Sequence, residues 1–421
     1  MQKNNTQPRK IRVIFLSITF DPEPGALRGL PLAKMLNATG DYEIKVLTAV
    51  PWYPLGKTYP GYRMKLWQWE SMDGIQVLRV PVYPSHDQSA LRRILTYVSF
   101  MFSAIFIGIP KIGSADIVYY FDNLPTTGLV AWLLRIFRGT KMVQHIGDMW
   151  PESVTESGMI KNQTLNTMLD KIIGGWCKYL YARHERITVL SPGFKRLLIE
   201  RGVQPDKVDI IYNWADEGLF FPVPYDSTLA QQLGFSGKFN VLYAGNIGVL
   251  QSIDTLVRAA HLLKDHPNIQ IVIAGTGPRE EEIRSLSREL GTSILFLGHR
   301  SREEMNRMNA LADALIVHLK DIPFLRSTIP SKTQVALASG RPVLMGVKGD
   351  AADVIRSAQA GLIFEQENSE DLARAILEMS RLSRDALQEM GLRGQRYYET
   401  YLSMATGSDK MDQLFRAIAP P

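Results

Sequence analysis

Cysteine is nearly absent: Cys177 is the only one in 421 residues. One thiol closes no internal disulfide and builds no thiolate metal cluster, so a reducing compartment is expected. A secretory leader is not expected either. Residues 1–12 are basic and polar, but the apolar run that follows, Val13–Ile18, is short. It ends at Asp21-Pro22-Glu23-Pro24-Gly25, which is no small-residue cleavage site. No dinucleotide fingerprint is present, because Gly275-Thr-Gly277-Pro lacks the third glycine, so a nicotinamide-dependent oxidoreductase is disfavoured. No helix-turn-helix, zinc-finger or RNA-binding signature appears, which makes nucleic acid an unexpected partner. The chain is 45% hydrophobic and 21% charged, with a mean hydropathy near zero. That excludes a disordered chain, a collagen-like chain and a polytopic membrane protein.

What is present is lopsided. Residues 1–218 carry 26 Lys+Arg against 19 Asp+Glu, whereas residues 219–421 carry 22 against 23. A basic half suits an anionic membrane surface or a phosphorylated substrate. The run Ile94–Ile109 has 16 residues without a charge, between Arg92-Arg93 and Lys111. It is shorter than the roughly 20 residues of a membrane span. With the segment Thr126–Phe137, followed by Arg138 and Lys141, it reads equally as core or as an in-plane membrane contact.

Apolar strand-like runs alternate with helical segments throughout. Strands are expected at Ile11–Ser17, Glu43–Ala49, Ile75–Val80, Asp116–Tyr120, Lys141–Ile146, Ile187–Leu190 and Val208–Tyr212. The pattern restarts at Phe239–Ala244, Ile269–Ala274, Ser293–Leu297, Ala314–His318, Pro342–Met345 and Leu362–Phe364. Asp216–Gly237, with Pro222, Pro224, Gly234 and Gly237, is the expected linker. The fold class is therefore α/β, two Rossmann-like doubly wound parallel-sheet domains. The expected bounds are 1–218 and 219–396, with a helical segment 397–421 that either returns to the first domain or caps the second. Ligands in such sheets bind beyond the carboxyl ends of the strands.

Four strand-end stretches carry chemistry. Gly25–Gly29 follows the first strand and opens a helix, where backbone N–H groups favour an anion. Gln144–Ser153 brings His145, Asp148 and Glu152 to a strand end. Tyr243–Ser252 holds Gly245, Asn246 and Gly248 in a turn suited to phosphate. In Ile329-Pro-Ser-Lys-Thr-Gln334, Pro330 is expected at the first helical position. The N–H groups of Ser331, Lys332 and Thr333 would then face an anion that the Lys332 charge also attracts.

These stretches, with Tyr53-Pro-Leu-Gly56, Tyr59-Pro-Gly-Tyr62, Asp148-Met-Trp-Pro-Glu-Ser153, Leu190-Ser-Pro-Gly193, Ala274-Gly-Thr-Gly-Pro278, Phe296-Leu-Gly-His299 and Ala338-Ser-Gly-Arg-Pro342, occur in one order over some 300 residues. Together they resemble the GT-B glycosyltransferases of glycosyltransferase family 4, and within them the WbuB-like group of O-antigen, capsule and exopolysaccharide assembly. The resemblance implies a nucleotide-sugar donor on the C-terminal domain. It implies a lipid-linked or saccharide acceptor on the N-terminal domain. Transfer would retain anomeric configuration, with no metal and no cofactor, in the cytoplasm at the inner face of the plasma membrane. His145, Asp148 and Lys332 become the candidate catalytic groups. Gly25, Asn246, Gly248, Arg326, Ser331, Lys332 and Thr333 are candidates for the donor phosphates, and Gly298, His299, Arg300 and Gln334 for the base and ribose.

Two departures accompany the resemblance. Where the family carries two glutamates, this chain has Ser327 and Val335. Where many members have arginine and lysine in the first loop of the second domain, it has Asn246 and Gln251. A degenerate, non-catalytic partner protein and a nucleotide-sugar 2-epimerase on the same fold are the rival readings.

Overall fold

In the computed structural model the described residues are 9–24, 27–86, 89–121, 124–150 and 163–420. The chain divides into two compact units. The first is formed by residues 1–190, 194–211 and 408–421, and the second by residues 191–193 and 212–407. The division at Ile211/Tyr212 falls seven residues before the expected one.

The first unit is an eight-stranded sheet. Its strands are β1 (Ile11–Leu16), β2 (Tyr42–Ala49), β3 (Gln68–Met72), β4 (Ile75–Val80), β5 (Ile117–Tyr120), β6 (Lys141–Ile146), β7 (Arg186–Val189) and β8 (Val208–Ile210). The order is β3-β4-β2-β1-β5-β6-β7-β8. All neighbours are parallel except β3, which pairs antiparallel with β4. Sequence reading missed β3. Its residues alternate between half-buried and exposed, so no apolar face marks it. The available signal was Asp73-Gly74, whose positive φ values of 49° and 84° close a two-residue hairpin.

The second unit is a six-stranded parallel sheet of β9 (Phe239–Ala244), β10 (Ile269–Ala274), β11 (Leu295–Gly298), β12 (Ala314–His318), β13 (Val343–Gly346) and β14 (Gly361–Ile363). Its order is β11-β10-β9-β12-β13-β14. Val241, Ile271, Ile273 and Ile316 pack against Leu256 and Val257 of the helix Asp254–Leu262, and against Leu372 and Ile376 of the helix Ser369–Ser380. Each such side chain contributes roughly 1.5–3 kcal/mol on burial.

The expected linker is not all loop. Ser227–Leu233 is a helix, begun where the Asp226 side chain accepts Leu229 N–H and ended by Gly234 in the left-handed conformation. At the C-terminus, Met404–Ile418 is one helix. Within the first unit, Asp412 of that helix accepts a hydrogen bond from Tyr42 Oη at 2.7 Å, and Phe415 packs edge-on to Tyr42 and Tyr119.

The uncharged run of the first unit lies in a helix longer than itself. The span Leu91–Ile112 has 22 residues and a mean hydropathy of 1.6, enough by length and composition to cross a membrane. A π turn at Ala104–Gly108 carries the helix on to Ile112 through Pro110. Phe100, Ala104, Ile109 and Ile112 enter the core of the unit. Leu91, Ile94, Leu95, Phe102 and Phe106 face solvent, as do Ile136 and Phe137 of the helix Pro125–Arg138.

Candidate functional site

Three adjacent strands of the second unit end together. The register of β9 and β10 runs to Ala244 opposite Ala274, and β11 follows through a bulge that sets Gly298 beside Ala274. The ladder then continues into the loops. Gly245 N–H donates to Ala274 O at 2.8 Å, Ile247 N–H to Thr276 O at 2.9 Å, and Gly275 N–H to Gly298 O at 2.8 Å. Loops this close leave no room for side chains: a Cβ on Gly275 would stand 1.9 Å from Gly245 O.

Beyond these strand ends lies a cavity of about 320 Å³, built wholly from the second unit. Backbone of Gly245, Gly275 and Thr276 lines one side. Phe220, Met305 and Val317 supply apolar wall, and Asn246, His299, Arg300, Ser331, Lys332 and Val335 the remainder. Among the described lining residues there is no carboxylate, so the fixed charges are those of Lys332 and Arg300. Arg300 is 3.6 Å from Glu304, which lies outside the lining. A larger cavity of about 420 Å³ in the first unit carries both signs, Asp170 and Glu200 beside Lys178 and Arg201, and is less suited to an anion.

Lys332 is the best-held of these groups. Its ammonium donates to Tyr243 Oη at 3.2 Å and lies 4.7 Å from the centre of that ring. Burial pulls its pKa down from the ordinary lysine value to about 8. Anion binding would reverse that shift, since a neighbouring negative charge favours the ammonium form.

The helix that carries Lys332 spans Ser331–Ala338, and Pro330 caps it instead of beginning it. Thr333 N–H turns back to Pro330 O at 2.8 Å. Of the three expected N–H groups, those of Ser331 and Lys332 therefore remain at the open end. The 3.6-residue period brings Ser331, Lys332 and Val335 to the cavity. Thr333 and Gln334 are fully buried instead and are not among the lining residues. The expected phosphate and ribose roles of these two side chains therefore gain no support from this cavity.

Other expected residues separate in the same way. Arg326 does not line the cavity; it pairs with Asp321 at 2.9 Å, a carboxylate that it shares with Lys348 at 2.7 Å. Gly248 and Gly298 lie next to the lining without forming part of it. Gly248 precedes the short turn Val249–Gln251, and Gly298 holds Gly275. In the first unit His145 is buried in β6, with Nδ1 3.0 Å from Thr188 Oγ1 of β7. Asp148 is exposed three residues on. Gly25 and Glu152 lie outside the described residues.

Two residues were missed. Tyr243 gave no signal, since a tyrosine in a buried strand reads as core. Glu23 was noticed only as part of a loop motif. It is buried and accepts the N–H groups of Phe20 at 3.0 Å, Trp52 at 2.7 Å and Tyr53 at 2.6 Å, which ties two loops of the first unit together. Burial outweighs those donors and raises its pKa above the usual glutamate value.

Comparison with known proteins agrees with this geometry. Residues 226–396 match the family of glycosyl transferases group 1, and residues 28–214 match the glycosyl transferase 4-like domain. The probable glycosyltransferase WbjE of Pseudomonas aeruginosa is 26% identical over 277 residues, covering 65% of this chain and 68% of that protein. WcaI of Escherichia coli, named for a glycosyl transferase step in colanic acid biosynthesis, is 25% identical over 358 residues, 78% of this chain and 82% of that one. Among solved structures, sucrose-phosphate synthase of Thermosynechococcus elongatus superposes with a TM-score of 0.71 at 18% identity, over 97% of this chain and 99% of that one. HepE of Anabaena, in complex with UDP-glucose, superposes with a TM-score of 0.67 at 16% identity, over 97% and 100%. With both halves matched in order, the chain belongs to the family 4 glycosyltransferases of GT-B fold, and it is an enzyme of the group 1 glycosyl transferases.

Proposed function

We propose that the cavity of the second unit holds the diphosphate of a nucleotide-sugar donor. The sugar passes, with retention and without a metal, to a lipid-linked or saccharide acceptor in surface polysaccharide assembly. The observation that carries this reading is a half-buried lysine at a helix N-terminus, over two glycine loops, in a cavity whose described lining holds no carboxylate. Such a site is made for a leaving group that gains negative charge. Lys332 and the N–H groups of Ser331 and Lys332 meet the charge that develops as the sugar–phosphate bond breaks, and fixed donors of this kind are often the largest catalytic contribution. HepE, whose structure holds UDP-glucose, lends analogy for the donor class. WcaI and WbjE lend it for the pathway.

The protein is further proposed to work in the cytoplasm, against the inner face of the plasma membrane. Support comes from the helix Leu91–Ile112. Its solvent-facing Ile94, Leu95, Phe102 and Phe106 lie between Arg92-Arg93 and Lys111, and its other face is held in the core of the unit. Lys111 lies 3.5 Å over the ring of Trp67, itself half exposed. An apolar face edged by cations and aromatics suits a helix lying in the plane of an anionic bilayer.

A thermal-shift panel with UDP, GDP, ADP, CDP and dTDP tests the donor site, because a ligand that binds only the folded state raises its stability. A shift with one nucleotide is the expected result. No shift with any of them, in folded protein, overturns the reading in favour of a non-catalytic partner, a role to which Val335 in the cavity wall would be suited. Retention is checked by NMR of the product's anomeric proton, and metal independence by activity in excess chelator.

A further inference from the structure

Tyr243 sits at the end of β9, fully buried. Its phenol O–H donates to Asn246 O at 2.7 Å. A phenol has one proton, so with that proton committed the oxygen offers only lone pairs. Lys332 Nζ donates to one of them at 3.2 Å. Gly245 makes the approach possible. A Cβ there would stand 2.5 Å from Lys332 Cε and 2.7 Å from Nζ, and its φ of 140° is one that other residues rarely adopt. One oxygen therefore joins a strand end, the loop that follows it and the first turn of the helix Ser331–Ala338. Arg300, the other cation of the cavity wall, has no acceptor atom that could take the phenol's place.

We propose that Tyr243 is a positioning residue. Its phenol holds the Lys332 ammonium aimed into the cavity and fixes the backbone of the Asn246 loop, so that a diphosphate meets a lysine already in place. The inference rests on the diphosphate reading given above and adds a residue to it. Its physical content is preorganisation. A lysine stem free in solvent must be ordered when the anion arrives, whereas here the ordering is complete beforehand. The phenol also offsets desolvation, because an acceptor facing an ammonium favours its charged form.

The experiment uses the full chain as wild type, Tyr243→Phe and Gly245→Ala. Trace acetylation with acetic anhydride across pH 6–11, read by mass spectrometry on the Lys332 peptide, gives the titration midpoint of that one lysine. Calorimetry with inorganic pyrophosphate at pH 7 gives the affinity. Tyr243→Phe keeps the ring and removes the acceptor. Its midpoint should fall below that of wild type by about one pH unit, and pyrophosphate affinity should fall about tenfold. Gly245→Ala displaces the lysine toward solvent, so its midpoint should rise toward the ordinary lysine value while affinity again falls. An unmoved midpoint in Tyr243→Phe overturns the role given to Tyr243 even if affinity drops, since a merely structural tyrosine would weaken binding without moving the lysine. Wild-type protein that binds no pyrophosphate overturns the diphosphate reading itself, and the inference with it.

Discussion

The two units are built on one plan and finished differently. Each is a sheet with helices packed on it, parallel throughout but for the edge strand β3 of the first, and each buries strands rich in valine and isoleucine. The first leaves Leu91, Ile94, Phe102, Phe106, Ile136 and Phe137 in water. The second dresses its helices with ion pairs such as Arg279–Glu282, Arg284–Glu280 and Arg356–Asp353. Its candidate cavity holds Lys332 with no carboxylate among the described lining residues. The sheet supplies position in both units; on the proposed reading, what is laid over it decides whether the partner is a surface or a small anion.

Four experiments would break or sharpen that contrast. The largest effect is expected from Lys332→Met, which should lower nucleoside diphosphate affinity roughly 100-fold and leave binding to anionic vesicles unchanged. Loss of both would show that the units are not separable in function.

The units should also respond to opposite ends of the pH scale. Lys332 carries its charge below about pH 8, and a bound phosphate raises its pKa. Affinity should hold steady up to that pH and then fall about tenfold per unit until the bound form titrates. In the first unit His184 is buried, with Nε2 2.7 Å from Tyr120 Oη and Nδ1 2.7 Å from Leu180 O. Desolvation lowers its pKa to about 3. The unfolded chain takes up that proton first, so the histidine's contribution is complete above pH 6.5 and is lost as pH falls toward 3. Hydrogen exchange in β6–β7 should show acid weakening that strand pair as pH falls from about 6.5 toward 3. Protection unchanged over that range would refute the assignment.

Third, Phe106→Glu combined with Phe137→Glu should reduce co-sedimentation with anionic vesicles about tenfold, with nucleotide affinity untouched. The smallest effect is in the second unit. Ser383 caps the helix Arg384–Tyr397 by accepting Ala386 N–H at 3.1 Å, and Ser383→Ala should cost about 1 kcal/mol in denaturant unfolding.

Much of this was legible in the sequence, and the failures have physical reasons. All six strands of the second sheet were expected within a residue or two, because a buried parallel strand is an unbroken apolar run. The edge strand β3 has no such run. The helix Ser227–Leu233 hid between prolines and glycines that mark its ends, not its absence. Of the residues expected at a donor site, Lys332, Asn246, His299, Arg300 and Ser331 line the cavity. Thr333 and Gln334 fall outside the lining because a motif is read as a line, whereas a helix distributes consecutive residues around its axis. Arg326 also falls outside it, and its pairing with Asp321 rests on a turn that sequence does not display. Tyr243 was invisible because its role rests on one oxygen at the end of an otherwise ordinary core side chain.

A cavity whose described lining holds no carboxylate has a consequence for turnover. On the donor reading, the anion becomes more negative when its sugar leaves, and nothing in the described lining repels it. Lys332 therefore grips the spent nucleotide harder than the donor that brought it. On that reading the free nucleoside diphosphate competes with the next donor molecule for the same lysine.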